Sequence, residues 1–202
     1  TNSGTISYSI YETSPALAAG VTADVAVINA ATIITANNTA TFAEAGTMSG
    51  IAKAIIYSIS DGQANIPGST TAAINEAVNI TITNNVTFAQ AKIIDDGSNS
   101  GTNTYNIEDT ATNLSNGTVT SVNAINGAGT VTSSSNAIAT EAAKMAGISQ
   151  AIVYSISDTA ANIVANIGGL NESVNITSTD SCTFAQGKVI EDATNSGTIT
   201  YN

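Results

Sequence analysis

The side chains in this sequence that could do chemistry are carboxylates. Asp61, Asp109 and Asp158 recur 48 and 49 residues apart, each directly after a strand-like segment, and Glu12 holds the equivalent place near the start. One carboxylate per repeat could bind calcium between neighbouring repeats, because Ca²⁺ takes oxygen ligands. The same position also suits the N-cap of a following helix, where an Asp side chain accepts a free backbone N–H. We favour N-capping and keep a row of calcium sites as the alternative.

A second pair of carboxylates, Asp95 and Asp96, lies in the segment DDGSNSG, residues 95–101. This segment resembles a calcium loop but lacks the terminal bidentate Glu and the spacing of an EF-hand. Its counterpart EDATNSG, 96 residues later, has Ala193 in place of Gly97. We therefore expect NSG to end a helix in both copies, with Asp95 and Asp96 as weaker calcium candidates. Calcium is the one cofactor that the sequence suggests.

The residue types that are missing exclude most other functions. The chain has 202 residues, of which 15 are acidic and four are lysines, with no Arg and no His, so its net charge is −11. Without an imidazole, Ser and Cys nucleophiles lack their usual base and zinc lacks its usual ligands. An acidic chain without Arg offers nucleic acid no basic patch, and no apolar run approaches the ~20 residues of a membrane span. We expect no enzyme, no catalytic residue, no nucleic-acid partner and no membrane span.

An internal repeat dominates the sequence. YSISDGQANI, from residue 57, recurs as YSISDTAANI 97 residues later, and TFAQAK recurs as TFAQGK. Five of the six tyrosines follow a finer spacing of 49, 48, 49 and 47 residues. On this alignment the single cysteine, Cys182, matches Val86, so it should fill a small apolar core position. The four units of about 48 residues are approximately 4–52, 53–101, 102–150 and 151–197, with 198–202 starting the next.

Each unit has the pattern strand, helix, strand, helix. In the last unit, residues 151–157 alternate and are rich in β-branched side chains, which predicts one strand. Helices should follow Asp158 and Thr183, because both residue types are good N-caps. The repeated tyrosines alternate with isoleucines, as in Ile55, Tyr57 and Ile59, so we expect these side chains to face inward.

The helical side of the repeat should be less regular than the sheet. Pro15 and Pro67 fall within predicted helices, and proline is tolerated only in the first turn. Residues 112–129 contain few good helix formers. We expect short helices or irregular turns at these places.

The alternation of elements predicts an α/β fold. Strands and helices joined by short connections favour a parallel sheet with right-handed crossovers. A strand–helix unit of about 24 residues has the coil size of leucine-rich-repeat solenoids, although the leucine signature itself is absent. We predict one continuous β/α solenoid over residues 1–202. The alternative is a pair of compact α/β repeats of about 97 residues each.

Three phrases, YSISDTAANI, VNITSTD and TFAQGKVIEDATNSGTITYN, resemble the degenerate tandem repeats of very large bacterial surface proteins. The likeness is to the Thr/Asn/Ala-rich, acidic, Arg-poor sequences of adhesins and of surface-layer and sheath proteins, and it extends over essentially the whole chain. It implies a structural or adhesive role at the cell surface, often with calcium dependence. We expect an extracellular filament, sheath or surface layer, with an adhesin repeat that binds a ligand, calcium or ice through an exposed sheet face as the alternative.

The two ends of the chain carry the same piece of the repeat. TNSGTISYS at residues 1–9 matches TNSGTITYN at residues 194–202, so we expect the chain to be processed or to be a segment of a longer protein. Neither end carries a polar capping repeat, which isolated solenoids need. We therefore expect the chain to bind itself head to tail. The strand residues expected at this joint are Ile6, Tyr8, Ile199 and Tyr201.

Overall fold

Residues 7–202 are described by a computed structural model, and their backbone alternates short strands with helices. The helices are α1 (Ser14–Ala23), α2 (Val25–Ala30), α3 (Phe42–Met48), α4 (Thr71–Glu76), α5 (Phe88–Asp95), α6 (Ala111–Thr120), α7 (Val122–Asn126), α8 (Ala139–Met145), α9 (Ala160–Ala165) and α10 (Phe184–Glu191), with 3₁₀ turns at Gln63–Gly68 and Ile167–Gly169. The strands are β1 (Ile10–Glu12), β2 (Ile34–Ala36), β3 (Ile59–Asp61), β4 (Ile80–Ile82), β5 (Asn103–Thr104), β6 (Ile107–Asp109), β7 (Val131–Ser133), β8 (Ile152–Val153), β9 (Ile156–Asp158), β10 (Ile176–Ser178) and β11 (Ile199–Thr200). Every paired strand in this part of the chain is parallel, which confirms the predicted α/β class.

The chain divides into two compact units. The first comprises the described residues up to Asn84 together with Ile93–Thr104, and the second comprises Asn85–Lys92 and Tyr105–Asn202. In the first unit β1 pairs with β2, and β4 lies between β3 and β5. Ile59 lies opposite Ile80, and both are buried. Isoleucines in register across neighbouring strands thus form the apolar side of this sheet.

The second unit repeats this arrangement. Its sheets have the orders β6-β7-β8 and β9-β10-β11. The register places β-branched residues opposite one another, as in the row Ile156, Ile176 and Ile199. Single bridges extend both sheets by one more segment, through the pairs Val86–Ile107 and Ala137–Ile156.

Three of the repeated tyrosines are buried, and the strand predicted around the last of them is interrupted. Tyr57, Tyr105 and Tyr154 are only 2–3% exposed, which confirms that they face inward. The single strand predicted for residues 151–157 is wrong, however, because β8 ends before Tyr154 and β9 begins after it, and the two strands pair in different sheets. Alternation did not reveal this break, since both halves keep their isoleucines on the buried side.

The helices are more regular than the sequence suggested. Pro15 does not shorten α1, which runs for ten residues, because the proline lies in the first turn where its missing N–H is not needed. Residues 112–129 were expected to be irregular, and this was wrong, since α6 and α7 occupy most of them. Burial of Leu114 and Ile125 stabilises these helices despite weak intrinsic propensity. The expectation for Pro67 is confirmed, because it lies in a 3₁₀ turn.

The NSG segments do not end helices, so that prediction is also wrong. Helix α10 ends at Glu191, and its C-cap is Asp192. Gly197 instead lies close to the backbone of Val174, where an added Cβ would lie 2.6 Å from the carbonyl oxygen of that residue. Gly101 has the same relation to Val78, at 2.4 Å. The glycine is therefore required by the close approach of two backbones.

Candidate functional site

The recurring carboxylates bind helix N-termini, but not in the way that the sequence suggested. Oδ2 of Asp109 accepts the backbone N–H of Phe88, the first residue of α5, at 2.9 Å. Its Oδ1 accepts the N–H of Thr110 and the side-chain amide of Asn113, both at 2.8 Å. The N-cap of the following helix α6 is Thr110. Asp109 thus holds the start of the helix that precedes it in the chain.

Asp61 and Asp158 make the same set of contacts. Oδ2 of Asp61 accepts from Phe42 at the start of α3, and Oδ2 of Asp158 accepts from Ala139 at the start of α8. The predicted N-cap role toward the following helix is therefore corrected for all three residues. The bond joins residues 19 to 21 positions apart, and local spacing gives no sign of it.

Other side chains, three of them neutral, bind helix starts in the same way elsewhere in the chain. The first N–H of a helix or 3₁₀ turn is accepted by a side chain from the next strand segment at four further places, Ser14 by Asn38, Gln63 by Asn84, Ala111 by Ser135 and Ala160 by Asp180. We call these four acceptors and the three carboxylates above, seven in all, the capping row. Since amides and a hydroxyl serve at some of its positions, charge is not essential to the row, and its role is to fix each helix on its neighbour.

The hydrogen bonds also set the ionisation of two of these carboxyls. Partial burial alone would raise the pKa of Asp61, but the bonds from the backbone N–H of Phe42, the side chain of Asn65 and the N–H of Gly62 outweigh it and hold the pKa below its usual value. The pKa of Asp158 is lowered for the same combination of reasons. Both groups therefore accept hydrogen bonds as carboxylates at neutral pH.

The calcium candidates are not gathered into a ligand set. Among residues 7–202, no group of three or more Asp, Glu, His or Cys side chains could hold a metal ion. Asp95 is the last residue of α5 and Asp96 follows it. Calcium binding at these five aspartates stays a prediction, and the capping row gives Asp61, Asp109 and Asp158 a structural role without it.

The inward-facing tyrosines anchor the helices from inside the core. The hydroxyl of Tyr57 donates to the carbonyl of Ala73, that of Tyr105 to Ala124 and that of Tyr154 to Gly169, at 2.8–3.0 Å. Burial, together with the nearby carboxylate of Glu76, raises the pKa of Tyr57 well above its usual value. Burial and Glu172 do the same for Tyr154.

Two glycine–glutamate pairs were missed by the sequence analysis. Gly50 and Gly147 adopt φ of +78° and +76°. The backbone N–H of Gly50 donates to the side chain of Glu76, and that of Gly147 donates to Glu172. The glycines lie 97 residues apart and the glutamates 96. Their recurrence in the long repeat is the signal that could have found them, because a repeated glycine often marks a left-handed residue.

An open apolar cleft lies beside α10. Its volume is about 540 Å³, and its lining includes Cys182, Phe184, Gly187, Glu191 and Tyr201. The side chain of Phe184 is 92% exposed. A mostly apolar lining of this kind is suited to binding an apolar surface.

The residues predicted for self-assembly divide between the two ends. Ile199 lies in β11 beside Ile176, and Tyr201 lines the cleft, where its hydroxyl donates to Glu191 at 2.9 Å. Burial and this glutamate raise the pKa of Tyr201 to about 12. Tyr8 is half-buried, and Ile6 lies outside the described residues.

Cys182, expected in the core, is only half-buried, whereas its counterpart Val86 is fully buried.

None of the helices described in residues 7–202 is long and apolar enough to span a bilayer. No protein-family model matches the chain, and no curated protein or solved structure matches it.

Proposed function

We propose that this chain is an extracellular structural repeat protein that continues end to end with further copies of itself, as part of a bacterial filament, sheath or surface layer. One observation carries the proposal. Positions that are buried in the interior of the repeat are more exposed near its end, as the fully buried Val86 and its half-buried counterpart Cys182 illustrate. Because these exposed positions are equivalent to buried ones, the surface they form is suited to packing against the first segment of another copy of the chain.

We further propose that the chain is a β/α solenoid. In both units, each strand pairs in parallel with a strand of a neighbouring segment. Seven helix or 3₁₀-turn starts are bound by a side chain 19 to 24 residues later, as Phe88 is by Asp109 and Ala111 by Ser135. These two sets of bonds both run from one coil to the next, so they favour indefinite continuation over closure.

The composition supports an extracellular and structural role. The chain has one cysteine and a net charge of −11, and its polar residues are chiefly Thr, Ser and Asn. Such a surface stays soluble through hydroxyls, amides and net negative charge. We assign it no catalytic activity, and its partner is a second copy of itself.

Sedimentation velocity over a wide concentration range, with electron microscopy of the most concentrated sample, tests the proposal. We expect the sedimentation coefficient to rise with concentration and extended particles of constant width to form, because a head-to-tail contact that does not close propagates. Added salt should promote assembly by screening the repulsion between acidic chains. A monomer at every concentration and salt level would overturn the proposal.

A further inference from the structure

Within the second unit, a phenylalanine packs against a glycine of the neighbouring helix. A Cβ added to Gly117 in the middle of α6 would lie 2.6 and 2.7 Å from two ring carbons of Phe88, and Gly117 is buried. Glycine is unfavourable inside a helix. The close approach of the Phe88 ring is the reason that a residue without a side chain is needed there.

The equivalent glycine near the start of the chain has no such neighbour. Gly20 lies 97 residues before Gly117 and occupies the same place in α1. A Cβ there would meet only Ile28, at an ordinary distance of 3.4 Å. Gly20 is half-exposed, and no contact among residues 7–202 requires it to be glycine.

The equivalent phenylalanine near the end of the chain has no glycine to pack on. Phe184 lies 96 residues after Phe88, at the same first position of its helix. Its ring is 92% exposed, whereas Phe88 is half-buried. Among residues 7–202, Phe184 thus lacks the counterpart of Gly117, and Gly20 lacks the counterpart of Phe88.

From this we infer that the ring of Phe184 in one copy packs on Gly20 in α1 of the next copy, as Phe88 packs on Gly117. The inference rests on the proposed end-to-end assembly and names the contact that fixes its register. The occupant of the cleft beside Phe184 is therefore the first coil of a second copy.

The hydrogen bonds of the internal joint have equivalents at the two ends. Phe88 N–H donates to Oδ2 of Asp109 while Oδ1 accepts from the next residue, Thr110. Glu12, the counterpart of Asp109, already accepts from its next residue, Thr13, through Oε1 at 2.8 Å. The other carboxylate oxygen of Glu12 can accept the backbone N–H of Phe184 from the other copy. The Glu12 carboxylate lies one methylene farther from its own backbone than that of Asp109 does.

The strand contact is matched as well. The bridge between Val86 and Ile107 in the second unit corresponds to a bridge between Cys182 of one copy and Ile10 of the next. Val86 and Ile107 are buried, whereas Cys182 and Ile10 are half-exposed in the chain by itself.

Sedimentation of the full chain and of three single-residue variants tests the register. Gly20→Ala should weaken self-association at least tenfold while leaving the melting temperature of the monomer unchanged or higher, since alanine suits a helix better than glycine. Phe184→Ala should weaken it similarly with no change in monomer melting. Gly68→Ala, with open space around its Cβ, is the matched control and should assemble like the wild type. If the wild type assembles and Gly20→Ala and Phe184→Ala assemble equally well, the register is wrong and end-to-end assembly stands. If the wild type never assembles, both inferences fail.

A disulfide provides a second measurement that does not depend on affinity. Residues directly opposite in a bridge have Cα atoms about 5 Å apart, within the range that a disulfide spans. Ile10→Cys should therefore cross-link to Cys182 of another copy on mild oxidation and give a series of multimers on a non-reducing gel. Ile10→Cys combined with Cys182→Ser is the control and should stay without that series. Multimers in sedimentation together with free thiols after oxidation would overturn the proposed joint.

Discussion

Replacing Asp158 by alanine tests the role of the capping row. The carboxylate accepts three hydrogen bonds, from the N–H of Thr159, the side chain of Asn162 and the N–H of Ala139. At about 1 kcal/mol for each bond, the loss should be about 3 kcal/mol of unfolding free energy at neutral pH. For a chain of this length that is a fall in melting temperature of roughly 6–12 °C. Circular dichroism during heating measures it directly.

A matched variant separates this effect from the loss of any aspartate. Asp192 is 66% exposed and forms an i,i+4 ion pair with Lys188 at 2.9 Å. Such pairs contribute only about 0.3–0.5 kcal/mol, so Asp192→Ala should melt within about 2 °C of the wild type. Asp158→Asn, which retains one acceptor oxygen, should fall between the two. If Asp158→Ala melted like Asp192→Ala, the capping row would have no energetic role.

The same variant predicts a dependence on acid pH. Because the pKa of Asp158 is lower in the folded chain than in the unfolded chain, its contribution is present above the unfolded pKa of about 3.9 and is lost as the pH falls through the folded value. The difference in stability between the wild type and Asp158→Ala should therefore shrink below about pH 4. A difference that stayed constant down to the most acid pH would contradict the role of the ionised carboxylate.

Four further outcomes are expected. Gly50→Ala should destabilise the chain by about 1–2 kcal/mol, because its φ of +78° is strained for any residue with a Cβ, whereas Gly68→Ala should change the melting temperature very little. Since burial raises the pKa of Tyr57 in the folded chain, its contribution is present below the unfolded pKa of about 10 and is lost as pH rises above it. The tyrosinate absorbance that Tyr57→Phe lacks should therefore appear only on unfolding, and its appearance in a folded chain would contradict this. A calcium chelator should leave the melting temperature nearly unchanged, and a large calcium-dependent rise would instead favour a row of calcium sites. A fusion that joins the full chain to a second copy of residues 10–202 gives a further test. Phe184→Ala in the first copy should lower the unfolding free energy by about 1–2 kcal/mol, because the second copy would cover that ring. The same substitution in the last copy should leave the unfolding free energy unchanged.

Much of the fold could be predicted because it depends on neighbouring residues. Alternating isoleucines around Tyr57 and Tyr154 correctly predicted which side chains are buried. Thr183 was correctly predicted to cap its helix, where its hydroxyl accepts from Gln186 N–H and the Gln186 side chain accepts from Thr183 N–H. These patterns lie within a few residues, so the order of the sequence contains them.

The candidate assembly surface was predictable only in outline. The matching ends pointed to Ile199 and Tyr201. Ile199 lies in the edge strand β11, and Tyr201 lines the cleft. The sequence does not single out Phe184 or Gly20, because a phenylalanine at a helix start and a glycine within a helix have no special meaning until their counterparts Phe88 and Gly117 are seen in contact.

The sequence by itself determined the repeat, the parallel α/β class and the inward tyrosines, since periodic burial and local capping act between residues that are near in the chain. Only the tertiary structure decided that Asp109 binds the helix start at Phe88 rather than the one that follows it. It likewise decided that Gly197 serves a close approach to Val174 rather than a helix end. Both contacts join residues more than 20 positions apart, and their partners are set by how separate segments pack together, which no local pattern of residues encodes.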